Sequence, residues 1–167
     1  MREPLYKQRG ADTLENGGIG NTYVEIDLSA QHMWFYQNGQ CVLDSDVVTG
    51  TMVRSRYTPE GIYSIYFKQR NRVLRGEIVL DGKTGSMKLR WLTGCLLTGE
   101  FGLHDADWNS YFGGEKYIYS GSHGCINLPG AAAKQLYSLV EVGTPVICYY
   151  PEAVICGDSP EKERTRI

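Results

Sequence analysis

Met33-Trp34-Phe35-Tyr36, then Asn38-Gly39, then Cys41-Val42-Leu43 is the stretch from which the fold class follows. Two aromatic and apolar runs flank an Asn-Gly pair, the dipeptide that accepts the positive φ angles of a tight hairpin turn. A β-hairpin is predicted, its second arm running on to Val47-Val48. Upstream, Thr22 to Leu28 alternates, with Val24, Ile26 and Leu28 on one face and Glu25 and Asp27 on the other, the pattern of a half-buried strand. Downstream, Ile62 to Phe67 and Arg72 to Leu80 are rich in Tyr, Ile and Val and predict further strands. The run Asp81 to Gly85 reads as a loop, and Thr144 to Tyr150 as an apolar closing strand.

One helix is predicted. Pro129 suits its first turn, where a missing N–H costs nothing. Ala132, Leu136, Leu139 and Val140 then share a face, and Gly143 stops it. Residues 1–21 are polar and Gly-rich, an extended lead-in, and 151–167 predict a flexible tail. The expectation is a single mainly β domain over 22–150.

The 167 residues suffice for one core, and 42% hydrophobic with 22% charged residues is ordinary for a globular chain. No apolar run approaches the ~18 residues of a membrane helix. Met1-Arg2-Glu3-Pro4 leads into a polar stretch and not a signal peptide, so export would require a leader or anchor that this chain lacks. A net charge of −2 gives no general case for nucleic acid. The charge is unevenly spread: residues 54–90 hold nine basic and three acidic residues, and the remainder eight and sixteen. Either a solvated hairpin protected by Lys and Arg, or a basic lobe that attracts an anionic partner, produces that pattern.

Five cysteines without CxxC spacing fit neither metal knuckles nor a redox dithiol. Cys41 and Cys148 lie in apolar runs and are expected to be small buried hydrophobes. Cys125 differs. It sits in Ser122-His123-Gly124-Cys125-Ile126-Asn127, with His123 two residues away and His104 in Gly102-Leu103-His104-Asp105. A thiol attacks as thiolate, so it needs a base or positive potential nearby, and the helix N-terminus near Pro129 is a third source. Gly121 and Gly124 let the backbone approach a substrate and aim N–H groups at an oxyanion. Sequence distance alone favours His123 as the base, because i and i+2 share a face in an extended segment.

These residues resemble the catalytic domain of the L,D-transpeptidases, the YkuD-like family that remodels bacterial peptidoglycan. The matching elements are His104, seventeen intervening residues and Ser122 to Asn127; Thr58-Pro59-Glu60-Gly61-Ile62-Tyr63; and Trp34-Phe35-Tyr36 with Val48-Thr49-Gly50. Phe101 to Trp108 with Phe112-Gly113-Gly114 is similar to the Gram-positive branch. The resemblance implies a mixed β-sandwich or barrel-like domain with one firm helix after the nucleophile. It implies attack by Cys125 on a tetrapeptide stem, loss of D-alanine, and a thioester resolved by an acceptor amine into a 3→3 cross-link. It makes His104 the base, oriented by the Asp105 carbonyl, with His123 and Ser122 in support and the N–H groups of Gly124 and Cys125 as oxyanion donors. Trp108, Tyr111 and Phe112 are candidates for a substrate wall or for packing, and Asn127 for fixing the segment or holding a substrate amide. Asp105 and Asp107 read as solvated loop carboxylates or as contacts for the acceptor amine. No cofactor or metal is implied, although a site built from His104, His123, Cys125 and an Asp is a competing reading. Hydrolysis of the same acyl-enzyme, as an L,D-carboxypeptidase, is another, and a non-catalytic wall-binding domain a third. The expected partners are peptidoglycan stem peptides and carbapenem β-lactams, and the expected location is outside the cytoplasm. Where related Gram-positive sequences carry an aromatic-rich stretch, this chain has Lys88 to Cys95. Lys88 and Arg90 there are expected to attract stem-peptide carboxylates or anionic wall polymers.

Overall fold

The computed structural model describes residues 19–53, 55–78, 84–95 and 101–150, without the side chains of 75–85. Most of the predicted lead-in, the centre of the Asp81 to Gly85 loop and the predicted tail lie outside these.

The hairpin forms as its turn dictates. β1 (Tyr23–Asp27) pairs antiparallel with β2 (His32–Gln37), and β2 with β3 (Gln40–Asp46). Asn38 and Gly39 turn the chain at φ 51° and 81°, the left-handed pair that lets two residues join twisted strands. β4 (Gly61–Ser64) follows, then a long hairpin of β5 (Phe67–Ile78) and β6 (Thr84–Gly94). β7 (Gly102–Asp105), a short helix α1 (Lys116–Ser120), β8 (Ile126–Leu128), α2 (Gly130–Leu139) and β9 (Pro145–Tyr149) complete the order.

Among the described residues the strands form two mixed sheets, β3-β2-β1-β9-β4 and β5-β6-β7-β8. The parallel pairs are β1–β9 and β7–β8. One core joins both sheets to α2: Val24, Ile26 and Val146 from the first, Leu103, Ile126 and Leu128 from the second, and Ala133 and Leu136 from the helix.

Four expectations need correction. β1 is buried on both faces: Glu25 is fully buried and Asp27 nearly so. A second cluster of Ile19, Tyr23, Tyr36, Ile147 and Tyr149 covers the far side of the sheet. There Glu25 accepts the Tyr149 hydroxyl at 2.6 Å, while Asp27 Oδ1 accepts the N–H groups of Ser29 and Ala30. Cys41 is exposed, because β3 is an edge strand; Cys148 is buried as expected. The run Ile62 to Phe67 is broken, since β4 pairs with β9 whereas β5 crosses to the other sheet. Finally, α1 accompanies the expected helix, and α2 itself starts at Gly130 with Pro129 as its extended N-cap residue.

Candidate active site

The nucleophile segment is held between two extended pieces of backbone. On one side, β8 runs parallel to β7 with Leu103 level with Ile126 and His104 level with Asn127. On the other, Asn127 and Val48 exchange both backbone hydrogen bonds, at 2.8 and 3.0 Å. Ser122 N–H donates to the Thr49 carbonyl and Thr51 N–H to that of Ser122, both at 2.9 Å. Gly121 is required here, because a Cβ would stand 2.5 Å from the Thr49 carbonyl oxygen.

Strand parity then places the side chains. Leu103 and Ile126 point into the core, so His104 and Asn127 share the opposite face. Continued back one residue, the register sets Cys125 beside Gly102, and the Gly102 N–H hydrogen-bonds the Cys125 sulfur. Cys125 and His104 are thus diagonal neighbours on one face of adjacent strands.

His104 is buried, and its Nδ1 lies 2.9 Å from the Asp105 carbonyl oxygen. A carbonyl only accepts, so Nδ1 carries the proton and Nε2 keeps its lone pair. Burial holds the imidazole below its ordinary pKa, against smaller upward effects of the Asp105 carbonyl and carboxylate. Burial pushes the Cys125 thiol up, partly offset by the Gly102 N–H. Both shifts favour a neutral thiol beside a neutral base.

Ser122 closes the turn. Its hydroxyl accepts the Gly124 N–H at 3.0 Å and donates to the Cys125 carbonyl. The expected oxyanion role of the Gly124 N–H is corrected by this bond, since that donor is already used. Gly124 has φ 130°, open to glycine and strained for other residues. The helix N-terminus is also not beside the thiol: β8 intervenes, and Asp107 Oδ1 takes the Gly130 N–H at 2.7 Å.

Asp105 is not a solvated loop carboxylate, whereas Asp107 is an exposed carboxylate in the loop after β7. Asp105 is buried and accepts the Trp91 N–H at 2.8 Å, and the Arg90 guanidinium bridges it to Asp107. Arg90 is therefore engaged within the fold, and the expectation that it attracts substrate carboxylates is corrected. The stretch from Lys88 is strand β6. His123 is exposed. Trp108 is 52% exposed with its ring 6.0 Å from that of His104, so it flanks the site. Tyr111 is exposed and carries the Lys116 ammonium over its ring at 4.5 Å; Phe112 is half-buried.

Sequence reasoning missed three supports. Thr58, quoted only as part of a motif, links Gly50 to Gly124 through its hydroxyl. Buried Gln31, at φ 51°, accepts the Thr49 N–H and donates to the Thr49 hydroxyl and Leu28 carbonyl. Arg90 ties together the two carboxylates that flank Ala106. Only the first had a signal in the sequence, its place in the Thr-Pro-Glu-Gly element.

Comparison with known proteins identifies the family and the fold. The family described as the L,D-transpeptidase catalytic domain matches residues 21–148. A crystal structure of an Enterococcus faecium L,D-transpeptidase mutant is 36% identical, with TM-score 0.68, over 77% of this chain and 50% of that one. The E. faecium catalytic domain acylated by ertapenem is 37% identical, with TM-score 0.65, over 78% of this chain and 98% of that one. L,D-transpeptidase 3 from Mycobacterium tuberculosis, with a faropenem-derived adduct, shares the fold at 19% identity and TM-score 0.63, over 77% of this chain and 60% of that one. This chain thus spans about half of the longer E. faecium protein and nearly all of its catalytic domain. No curated protein sequence matches it.

Proposed function

The chain belongs to the YkuD family of L,D-transpeptidase catalytic domains, and we propose that it forms 3→3 cross-links in peptidoglycan through a Cys125 thioester. The observation that carries this reading is the diagonal placement of Cys125 and His104, with the Gly102 N–H on the sulfur and the Asp105 carbonyl on Nδ1. His104 Nε2 takes the thiol proton as sulfur attacks the carbonyl between the stem's diamino acid and its terminal D-alanine. The developing oxyanion is met by backbone N–H groups of the nucleophile turn, that of Cys125 among them. Collapse breaks the C–N bond, and His104 returns the proton to the departing D-alanine. The side-chain amine of a second stem then attacks the thioester, giving its proton to His104 and restoring the thiol.

Trp108 flanks His104, and Asn127, whose backbone fixes β8, stands beside His104 for a substrate amide. The enzyme acts outside the cytoplasm, where its polymer lies. Acylation of the E. faecium domain by ertapenem supports β-lactams as covalent inhibitors here. Mass spectrometry after treatment with ertapenem is expected to show one adduct on Cys125. Incubation with a tetrapeptide stem and an acceptor stem is expected to yield free D-alanine and a cross-linked dimer. D-Alanine with no dimer at saturating acceptor would identify hydrolysis instead, and neither adduct nor release would contradict a catalytic role.

A further inference from the structure

We infer that Gln31 is a positioning residue for the Cys125 turn, acting through Thr49 and Ser122; the inference rests on the proposed role of Cys125 as nucleophile. Val48 to Thr51, the backbone that holds the nucleophile segment, belongs to neither sheet and makes only isolated bridges, to Asn127 and Ser122. Inside a sheet, neighbouring strands would take its N–H groups; here four successive ones are satisfied singly. Val48 N–H donates to the Asn127 carbonyl at 3.0 Å, and Thr51 N–H to that of Ser122 at 2.9 Å. Between them, Thr49 N–H goes to Gln31 Oε1 and Gly50 N–H to the Thr58 hydroxyl, both at 2.9 Å. Two buried side chains thus stand where a neighbouring strand would.

Gln31 commits its whole amide to this task. Nε2 donates to the Thr49 hydroxyl and to the Leu28 carbonyl, each at 2.7 Å, and the Gln31 carbonyl accepts the Val47 N–H at 2.9 Å. The amide therefore grips Thr49 at two atoms and is itself anchored just beyond β1. Its backbone sits at φ 51°, a region that glycine enters freely and a buried glutamine enters only under constraint. These four hydrogen bonds supply that constraint. Without the amide, the Thr49 N–H is buried with no acceptor, so this backbone must shift to find one. The Thr49 carbonyl passes the shift to Ser122, whose N–H it accepts at 2.9 Å. The Ser122 hydroxyl passes it to the Gly124 N–H and the Cys125 carbonyl. Gln31 thereby acts on the sulfur through two intermediaries.

Single-turnover acylation by ertapenem, measured per folded molecule, is the test. Gln31→Met keeps the length and removes the amide. It is expected to lower the acylation rate constant about 10-fold, with little change in the ertapenem concentration giving half the maximal rate. Alkylation of Cys125 by iodoacetamide should keep the parental pH profile, because the burial and the Gly102 N–H that set the thiol stay in place. Action through Ser122 also predicts coupling. Gln31→Met should slow a Ser122→Ala protein by less than ~3-fold, yet slow an Arg90→Ala protein by the full factor of about 10, since Arg90 acts on the His104 side. If Gln31→Met lacks a folded melting transition, Gln31→Asn takes its place with the same losses expected, because Asn accepts a positive φ and its amide falls one methylene short of Thr49. Parental acylation by the folded variant, or equal slowing in the Ser122→Ala and Arg90→Ala backgrounds, overturns the inference and leaves the proposed function standing. A parent protein that ertapenem does not acylate overturns both.

Discussion

The Thr58 hydroxyl donates to the Gly124 carbonyl across 2.8 Å while it accepts the Gly50 N–H across 2.9 Å. One buried side chain thereby fixes the residue before the nucleophile to the strand segment that pairs with Ser122. Thr58→Val keeps the shape and strips both backbone groups of that partner, at an expected cost of about 1–3 kcal/mol. Denaturant midpoints should show the loss, together with slower acylation of Cys125, and Thr58→Ser should restore most of both. A Val variant as stable and reactive as the parent would contradict this role.

Ser122 bridges the Gly124 N–H and the Cys125 carbonyl. Ser122→Ala should lower the acylation rate about 10-fold, by analogy with the loss of one positioning hydrogen bond around a reacting centre. Single-turnover ertapenem acylation measures it. Gly124→Ala, at φ 130°, should cost both stability and rate.

Arg90 spans Asp105 and Asp107 and so braces the end of β7, where the Asp105 carbonyl orients His104. Its side chain is 61% exposed, so Arg90→Ala should change global stability by less than about 1 kcal/mol. The acylation rate constant should nevertheless fall with little change in the ertapenem concentration giving half the maximal rate. Arg90→Lys should rescue only in part, lacking the fork that reaches two carboxylates.

The pH dependence follows from burial. The Cys125 thiol is pushed up and the His104 imidazole down, so the pair rests neutral. Alkylation of Cys125 by iodoacetamide, which reports thiolate, should rise only above the ordinary thiol range, whereas ertapenem acylation should persist below pH ~6.5 until His104 protonates. A thiolate titrating near pH 4 would contradict the neutral pair. Stability is linked in the same direction. Between the depressed native pKa of His104 and ~6.5, the unfolded state binds more protons. Stability is therefore whole above that window and falls as the pH drops through it.

Local signals were legible in the sequence where they determine geometry. Asn38-Gly39 specifies its hairpin, and the apolar face of α2 specifies its packing. Glu25 and Asp27 misled because acidic residues normally mark a wet face. Here a tyrosine-rich cluster formed with distant Tyr149 covers one, and a local turn takes the other. The crossing between β4 and β5 left no mark, because Ile65 and Tyr66 have high strand propensity in either sheet. Within the site, the spacing of His104 and Cys125 was readable through family resemblance. The duties of Thr58, Gln31, Arg90 and Asp107 depend on partners up to 66 residues away and emerge only when the strands are assembled.

The central claim is that His104, and not the adjacent His123, activates Cys125. Mass spectrometry of single-turnover acylation by ertapenem tests it most directly, with His104→Ala and His123→Ala compared at equal folded concentration. The account predicts loss of the Cys125 adduct in the His104 variant, by at least ~100-fold in rate, and a measurable rate in the His123 variant. Acylation of the His104 variant at the parental rate would contradict it.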